Sequence, residues 1–315
     1  MAKPSYFGNP SLDHAVAGIG AATVSTITLQ PLDLIKTRLQ LDDATPRRAP
    51  TGQPPPRPQI VGRAFRAFRA VLRQDGLRGF YRGLSPNLAG NTASWGLYFF
   101  WYDTLKRFET DRTGRQALSP TQHLTAAAAA GALTQLCANP LWVVKTRMFA
   151  TDRGAKQAYR GLWHGLTSIY RYEGVRGLYK GLVPGLFGVS HGSLQFMAYE
   201  EMKRWRAEKL DVALGTKLNA AEYMGMAAGS KVFATVCTYP YQVIRTRLQN
   251  QITDIKYTGV LDAITKIYHH EGLLGFYKGL GPNIVRVLPG TCITFVVYET
   301  LSHYFQASAQ ERAVS

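Results

Sequence analysis

The sequence predicts an all-α membrane protein built from three similar repeats. Two observations lead to this prediction: a proline-centred motif that occurs three times, and paired long stretches without Asp, Glu, Lys or Arg. The 315 residues carry 37 Lys and Arg against 20 Asp and Glu, a net charge of +17, while 46% of them are hydrophobic. A disordered polycation is therefore excluded, and the chain folds.

The repeats are clearest in two motifs that recur in phase. The stretch from Pro31 to Arg38 returns 109 residues later at Pro140 and a further 100 residues later at Pro240. An acidic residue followed by glycine opens a second block that ends in Tyr-Lys/Arg-Gly, and this block recurs twice at intervals of 98 residues. It begins at Asp75, Glu173 and Glu271. A fixed period of this kind indicates three copies of one structural unit.

Each repeat contains two uncharged stretches long enough to cross a membrane. In the first repeat they are 14–32 and 84–102, each 19 residues long, and in the second they are 116–144 and 182–199. The third repeat has the same two stretches, interrupted by Lys231 and Arg286. We therefore expect six transmembrane helices, rich in the small residues that allow close packing in lipid. A soluble helical solenoid is the alternative, but solenoid repeats are usually about 20–50 residues long.

These motifs, over about residues 12–305, resemble those of the mitochondrial carrier family. The resemblance implies a three-fold pseudosymmetric barrel of six transmembrane helices, with short matrix-side helices and both termini facing the intermembrane space. It also implies an alternating-access transporter of the mitochondrial inner membrane, acting as a monomer. The expected repeats are 12–109, with a proline-rich matrix loop at 42–59, 118–208 and 218–308.

Proline kinks helices, so the three motif prolines should draw the ends of three helices together. In the family, charged residues that follow these prolines close a matrix gate; here the corresponding residues are Asp33, Lys36, Lys145, Gln242 and Arg245. By cyclic order Asp33 would pair with Lys145. A cytoplasmic gate is expected from Asp103 with Lys106 and from Glu200 with Lys203, whereas Glu299 lacks a basic partner in its motif. Ordinary solvated charges at helix ends are the alternative reading.

The resemblance further implies cardiolipin sites, at which helix N-termini present N–H groups to lipid phosphates. The residues concerned are Arg82, Gly83, Arg160, Gly161, Lys180, Gly181, Gly259, Lys278 and Gly279. The first repeat has Ile-Val-Gly at 60–62 in place of the Tyr-x-Gly of the other two, so its site is less well supported.

Residues that break the three-fold symmetry should bind an asymmetric solute. Lys231 and Arg286 stand where the other repeats have Ala22 and Gly131, and Gly90 and Gly188. Cations within a membrane span are costly unless they face a wet cavity, although snorkelling or a structural ion pair is an alternative. The register of the fourth span is open by one residue, so Phe187 and Gly188 both qualify for the central level. The other predicted contacts are His191, Asn91, Gln135 and Trp142.

Pro-Leu-Trp142 and Pro-Tyr-Gln242 resemble the branch of the family that moves folate, FAD, NAD and pyrimidine nucleotides. FAD or folate is therefore the expected solute, with NAD or a pyrimidine nucleotide as alternatives, and it would be transported rather than held as a prosthetic group. A carrier-fold receptor or scaffold that does not transport is the alternative from another class. No enzyme motif, metal cluster, disulfide framework or nucleic-acid module is apparent, and no cleavable presequence is expected.

Overall fold

The chain forms ten α-helices and two short 3-10 helices in a computed structural model that describes residues 6, 10–42, 60–113, 119–152, 154–155, 158–210, 219–250 and 257–314. Most of the predicted proline-rich loop, residues 43–59, lies outside the described residues. No strand occurs in the described parts of the chain, in agreement with an all-α class. The helices are α1 (Pro10–Leu41), α2 (Ile60–Asp75), α3 (Leu84–Thr113), α4 (Pro120–Ala150), α5 (Leu162–Leu178), α6 (Leu182–Leu186), α7 (Val189–Leu210), α8 (Ala220–Gln249), α9 (Val260–Glu271) and α10 (Leu280–Val314). The 3-10 helices, Leu77–Tyr81 and Leu273–Tyr277, precede α3 and α10.

The long helices form a closed ring in which the last helix of each repeat packs on the first helix of the next. The pairs are α3 with α4, α7 with α8, and α10 with α1, and the last pair closes the ring. Small residues allow the close approach: a Cβ at Gly20 would lie 2.6 Å from Leu301, and one at Gly290 would lie 3.0 Å from Leu29. Glycine at these crossings is what permits the helices to meet.

Helices α1, α4 and α8 each contain a motif proline and contact one another on the inside of the ring. Their C-terminal ends are joined by a cyclic set of hydrogen bonds. Arg38 donates to the Phe149 carbonyl (3.1 Å), Arg147 to the Gln249 carbonyl (2.9 Å), and Arg247 to the Gln40 carbonyl (3.0 Å). Each arginine thus satisfies a carbonyl that its neighbour's helix end leaves unpaired. We call this end of the ring the proline end.

The short helices α2, α5 and α9 pack beneath the proline end through equivalent buried residues. Val71, Ile169 and Ile267, four positions before each acidic-Gly pair, are all at most 1% exposed. In the second and third repeats the acidic residue of the pair also binds two cations. Glu173 pairs with Arg147 and Lys180, and Glu271 pairs with Arg247 and Lys278. Helices α5 and α9 are therefore attached to the ring by both apolar and ionic contacts.

The helix that follows the Tyr-Lys/Arg-Gly turn is broken only in the second repeat of the described chain. In repeats one and three it is continuous, as α3 and α10, whereas in repeat two it is divided into α6 and α7 at Phe187 and Gly188. The interval from turn glycine to gate acid is 19 residues there and 20 in the other two repeats. The break therefore occurs at the residues for which the register was ambiguous.

Two stretches of the described residues are long and apolar enough to cross a membrane by length and composition. They are Thr121–Ala150, with mean hydropathy 1.2, and Leu273–Ala309, with mean hydropathy 1.4. Many large apolar side chains on the ring are exposed, among them Trp95, Phe99 and Phe196 at 60% or more. Exposed apolar surface on this scale is typical of contact with a partner or a membrane.

Candidate functional site

A central cavity of about 360 Å³ lies inside the ring at the level of the motif prolines. Its walls come from the three proline helices and from α3 and α10. Every predicted matrix-gate residue lines it, as do three of the predicted solute contacts, Asn91, Trp142 and Arg286. The structure thus brings the gate and part of the predicted solute site into one space.

The cavity carries a surplus of positive charge. Its described walls contain four cations and one carboxylate, a formal charge of +3. The carboxylate is Asp33, and the cations are Lys36, Lys145, Arg245 and Arg286. Asp33 forms an ion pair with Arg286, with Nη1 and Oδ1 2.8 Å apart, and its side chain is 13% exposed. A cavity of this charge favours an anionic ligand.

The predicted pairing of Asp33 with Lys145 is wrong in this structure, and Arg286 forms the structural ion pair that was the alternative to its role as a solute contact. Asp33 bonds to the arginine, which reaches it from α10, while the Lys145 ammonium lies over the Trp142 ring, 4.9 Å from its centroid. Lys145 thus makes a cation–π contact with Trp142, while the carboxylate expected to pair with it is bonded to Arg286. Lys36 donates to Gln242 Oε1 at 3.5 Å, a long contact across the gate.

Trp142 is held in the cavity by contact with α3, and Asn91, which lies on α3, by hydrogen bonds to α1 and to its own helix. A Cβ at Gly90 would lie 3.5 Å from the Trp142 ring, so the absence of a side chain allows the indole to pack against that helix. Asn91 donates to the Thr26 hydroxyl (3.3 Å) and to Asn87 Oδ1 (3.4 Å). The glycine at the central level of repeat one thus makes room for an aromatic of the next repeat.

The remaining predicted solute contacts lie near this cavity but do not line it. Lys231 is half-buried on α8, His191 is hydrogen-bonded to the Thr238 hydroxyl (2.9 Å), and Gln135 donates to Asn139 (3.0 Å). Phe187 is 60% exposed, and Gly188 stands close to Tyr241, whose hydroxyl would be 3.7 Å from a Cβ there. The site role of all five stays a prediction.

Two buried hydrogen-bond donors of the cavity walls have no partner among the described residues. They are Arg286 Nε and Gln249 Nε2. Gln249 is 2% exposed and accepts at its other amide atom from the Thr146 hydroxyl (2.8 Å). A buried donor without a partner is costly, so both atoms suit a ligand that accepts hydrogen bonds.

Sequence reasoning missed Gln249 and Tyr241 as cavity residues. A signal for the first was present, since Gln40 and Gln249 both stand two residues after the last arginine of their motifs, where repeat two has Phe149. Tyr241 follows Pro240, where the other repeats have leucine. Both positions break the three-fold symmetry, as the predicted site residues do.

At the opposite end of the ring, the predicted gate residues are not joined across repeats in the described structure. Asp103 pairs with Arg107 on its own helix (2.8 Å) and Glu299 with His303 on its own helix (3.4 Å). Lys106, Glu200 and Lys203 form no ion pair with any described residue. The predicted gate residues at this end therefore form no bond between repeats, although other residues join neighbouring helices there, as Arg206 of α7 does with Glu222 of α8.

Three of the four basic side chains of the predicted lipid sites have partners within the protein. Arg82 is 5% exposed and donates to the Met148 carbonyl (2.8 Å), while Lys180 and Lys278 bond to Glu173 and Glu271. The turn glycines have left-handed backbone angles, with φ of 72°, 74° and 84° at Gly83, Gly181 and Gly279. That conformation suits glycine and explains its presence in each turn.

Gly161 and Gly259 are the N-caps of α5 and α9, and no atom lies within 4 Å of a Cβ built on either. Arg160 precedes the first of these caps and is exposed. The lipid-site prediction, which stays untested, therefore depends on these open helix ends more than on the turn cations, which are bonded within the protein.

Comparison with known proteins adds two findings. The family model described as mitochondrial carrier protein matches residues 8–113, 116–210 and 216–309. The chain is 39% identical to folate transporter 1, chloroplastic, of Arabidopsis thaliana, over 92% of this chain and 94% of that protein. It is 38% identical to the mitochondrial nicotinamide adenine dinucleotide transporter 2 of the same plant (93% and 79%) and 34% identical to the mitochondrial FAD carrier protein of Saccharomyces cerevisiae (93% and 97%).

Proposed function

Since the chain belongs to the mitochondrial carrier family, we propose that it carries FAD or folate across the mitochondrial inner membrane. NAD is an equally supported alternative, because relatives named for folate, NAD and FAD match with similar identity. All three are large anions with flat ring systems, and the solute of this carrier belongs to the same chemical class. A pyrimidine nucleotide shares that chemistry.

The observation that carries the proposal is the charge of the central cavity. Four cations face one carboxylate, and two buried donors, Arg286 Nε and Gln249 Nε2, have no partner in the described structure. A phosphate or carboxylate group would accept from these donors and neutralise the surplus charge. Arginine suits this role because its planar guanidinium can hold two anionic oxygens at once.

The Asp33–Arg286 pair links solute binding to the gate. Asp33 stands two residues after Pro31 and is the one gate carboxylate, so its bond to α10 holds two helices of the ring together at the proline end. A solute anion that binds Arg286 competes with Asp33 for the same guanidinium. The solute thereby loosens the proline end, which is the step an alternating-access carrier needs.

The solute's ring system would lie near Trp142. The indole already rests on Gly90 and under Lys145, so a flat heterocycle would reach it by displacing the Lys145 ammonium. Stacking of aromatic rings contributes about 0.5–1.5 kcal/mol beyond the burial of their area. Lys231 and His191 would then contact the part of the solute that faces away from the gate.

The membrane arrangement follows the family. The long helices of the ring would form the six spans, α6 and α7 together making one of them, with both termini towards the intermembrane space and the proline end towards the matrix. Cardiolipin would bind at the N-termini of α5 and α9, where Gly161 and Gly259 leave the first N–H groups open. A monomer suffices, because the ring is closed by α10 on α1.

The test is uptake of labelled FAD, folate, NAD and UTP into liposomes that contain the purified protein. We expect uptake of at least one of them, inhibited by an excess of the same unlabelled compound. Liposomes with the Arg286→Ala variant are the matched control for leakage. Uptake of none of the four, together with strong uptake of a small dicarboxylate, would overturn the proposal.

A further inference from the structure

A second cavity, of about 590 Å³, lies beyond the proline end and is separate from the central one. Its walls come from the C-terminal ends of the three proline helices and from one face of α2. Gln40 and Gln249 line the central cavity, whereas Leu41 and Asn250, their neighbours in the chain, line the second. The second cavity therefore lies next to the central one and is lined by residues further towards the C-terminal ends of the proline helices.

One face of α2 is suited to bind an anion. The cavity is lined by Arg63, Arg66, Ala67 and Ala70, and the spacing of three and four residues places them on one side of the helix. The alanines leave room beside the guanidinium groups. Phe65 and Phe68 lie on another side of α2 and are 57% and 40% exposed, so the apolar face of the helix is distinct from its basic face.

The arginines of this face lack carboxylate partners among the described residues. Arg66 donates to the Gly62 carbonyl of its own helix at 3.3 Å, and neither Arg63 nor Arg66 forms an ion pair there. The third cation of the wall, Arg38, is bonded to Asp152 (2.8 Å) and to the Phe149 carbonyl. Asp42 adds one carboxylate, so the two α2 arginines outnumber the acid that faces them.

This basic face is specific to the first repeat. Counted back from the acidic-Gly pair, with buried Val71 fixing the register, Arg63 and Arg66 correspond to Gly161 and His164 in α5. In α9 they correspond to Gly259 and Asp262. Asp262 accepts from the Thr258 N–H (2.9 Å) and binds Lys266, so it caps its own helix.

Helix α2 has no such cap glycine and begins one turn earlier, at Ile60, which places Arg63 inside the helix. The same register corrects the alignment of 60–62 with the Tyr-x-Gly of the other repeats, because Arg63 and not Gly62 stands at the position of the cap glycine. The first repeat thus has two cations where the others have capping residues.

We propose that this second cavity is a binding site for a phosphate-bearing anion, held by Arg63 and Arg66. Two arginines at helical spacing can grip the oxygens of one phosphate or pyrophosphate by charge-assisted hydrogen bonds. The cavity volume is within the range of small-molecule sites. The ligand is either a soluble phosphate compound or the headgroup of a phospholipid, since both present the same chemistry. The proposal does not depend on which solute the central cavity carries.

The experiment measures binding of inorganic pyrophosphate to the full-length protein in a neutral detergent. The starting variant is Arg286→Ala, which weakens anion binding in the central cavity, and calorimetric titration gives the dissociation constant of the remaining site. Adding Arg63→Gln and Arg66→Gln should raise this constant at least tenfold, because the charge-assisted hydrogen bonds to the anion are lost. The matched control, Arg69→Gln on the same helix, removes an arginine that does not line the cavity and should change it less than about twofold.

Unfolding midpoints without ligand identify any variant that fails to fold, and Arg66→Lys then tests the site with the charge retained. We expect the lysine to bind more weakly than arginine and more tightly than glutamine. Competition of cardiolipin with pyrophosphate would identify a lipid headgroup as the source of the phosphate, and absence of competition a soluble compound. Equal binding by the Arg63/Arg66 and Arg69 variants would overturn the proposal, whatever the uptake assay shows.

Discussion

Arg286 on α10 and Asp33 on α1 form an ion pair 2.8 Å long in the wall of the central cavity. Both residues are unusual in their repeats: arginine stands where the other repeats have glycine, and aspartate is the one acid at the three gate positions. Arg286, the asymmetric residue that we expect to bind the solute, is therefore also the ion-pair partner of the one gate carboxylate. Solute binding and gate closure share a single guanidinium.

Replacing the gate carboxylate should strengthen solute binding. In Asp33→Asn the guanidinium of Arg286 no longer has an internal anion, so a solute anion binds it without competition. We expect KM for the transported anion to fall by a factor of roughly 3–10, about 0.7–1.4 kcal/mol. Initial rates of uptake at several solute concentrations give KM.

The matched control for this change is Asp152→Asn. Asp152 also pairs with an arginine near the proline end, Arg38 at 2.8 Å, but it does not line the cavity. The control should leave KM unchanged. An unchanged or higher KM in Asp33→Asn would contradict competition for Arg286.

Removing the guanidinium should abolish most transport. Loss of a desolvated charged hydrogen bond costs on the order of 2–5 kcal/mol, a factor of about 30 or more in kcat/KM. We expect Arg286→Ala to lose uptake by at least that factor, and Arg286→Lys to retain part of it. Lys231→Ala should lose less, because Lys231 is outside the cavity walls in this conformation. Wild-type uptake by Arg286→Ala would show that the site lies elsewhere.

How much of this was predictable from the sequence can be seen at two residues. Gly90 and Arg286 were identified because the repeats align, and alignment alone assigns both to the central level of the cavity. The pairing of Arg286 with Asp33 was not predictable, because it depends on which basic side chain lies within bonding distance of the carboxylate in the folded ring. Sequence spacing fixes the position of a residue along its helix, but not the distance across a cavity.

The helix break in repeat two was indicated by the sequence, whereas the bonds of Arg82 were not. In repeat two the interval from turn glycine to gate acid is 19 residues, which made the register of the fourth span ambiguous. The helix is broken at the residues concerned. The inward bonds of Arg82, by contrast, require the end of α4 to stand beside the turn, which is a tertiary contact. The three-fold repeat thus predicts the arrangement of the helices, whereas the contacts between repeats determine which groups each charged side chain binds.

The break between α6 and α7 should not tolerate a side chain at Gly188. A Cβ there would lie 2.9 Å from the carbonyl oxygen of Gly185, and that backbone atom cannot move aside without shifting the helix. We expect Gly188→Ala to reduce the free energy of unfolding by about 1–3 kcal/mol, the usual cost of overpacking. Thermal unfolding in detergent measures the change.

Gly192→Ala is the control for that substitution. No atom lies within 4 Å of a Cβ at Gly192, which is inside α7. Alanine should be neutral or slightly stabilising there, because it favours helix over glycine by about 0.8–1.0 kcal/mol. Equal destabilisation by both variants would show that strain at the break is not the cause.

The buried pair of Arg247 and Glu271 should dominate the attachment of α9. Their side chains are 1% and 4% exposed, and Arg247 also donates to the Gln40 carbonyl at the end of α1. Glu271→Gln leaves the arginine buried without its counter-charge, which typically costs about 3–5 kcal/mol. Asp262→Asn on the same helix breaks a more exposed pair with Lys266 and should cost much less. Similar unfolding midpoints for the two variants would contradict this role.

The same pair gives an acid dependence with a definite sign. Burial acts to raise the pKa of Glu271, but the hydrogen bonds from Arg247 and Lys278 outweigh it and hold the pKa below its ordinary value of 4.5. The contribution to stability is therefore complete above about pH 4.5 and is lost as the pH falls through the lowered pKa of the folded state. We expect the unfolding midpoint of the wild type to fall more between pH 6 and pH 3 than that of Glu271→Gln, which has no proton to take up at this position.

Glu173 follows the same rule through Arg147 and Lys180, so the Glu271→Gln curve should keep part of the slope and the double variant with Glu173→Gln should lose more of it. Parallel curves for the wild type and both variants would show that the acid lability arises elsewhere in the chain.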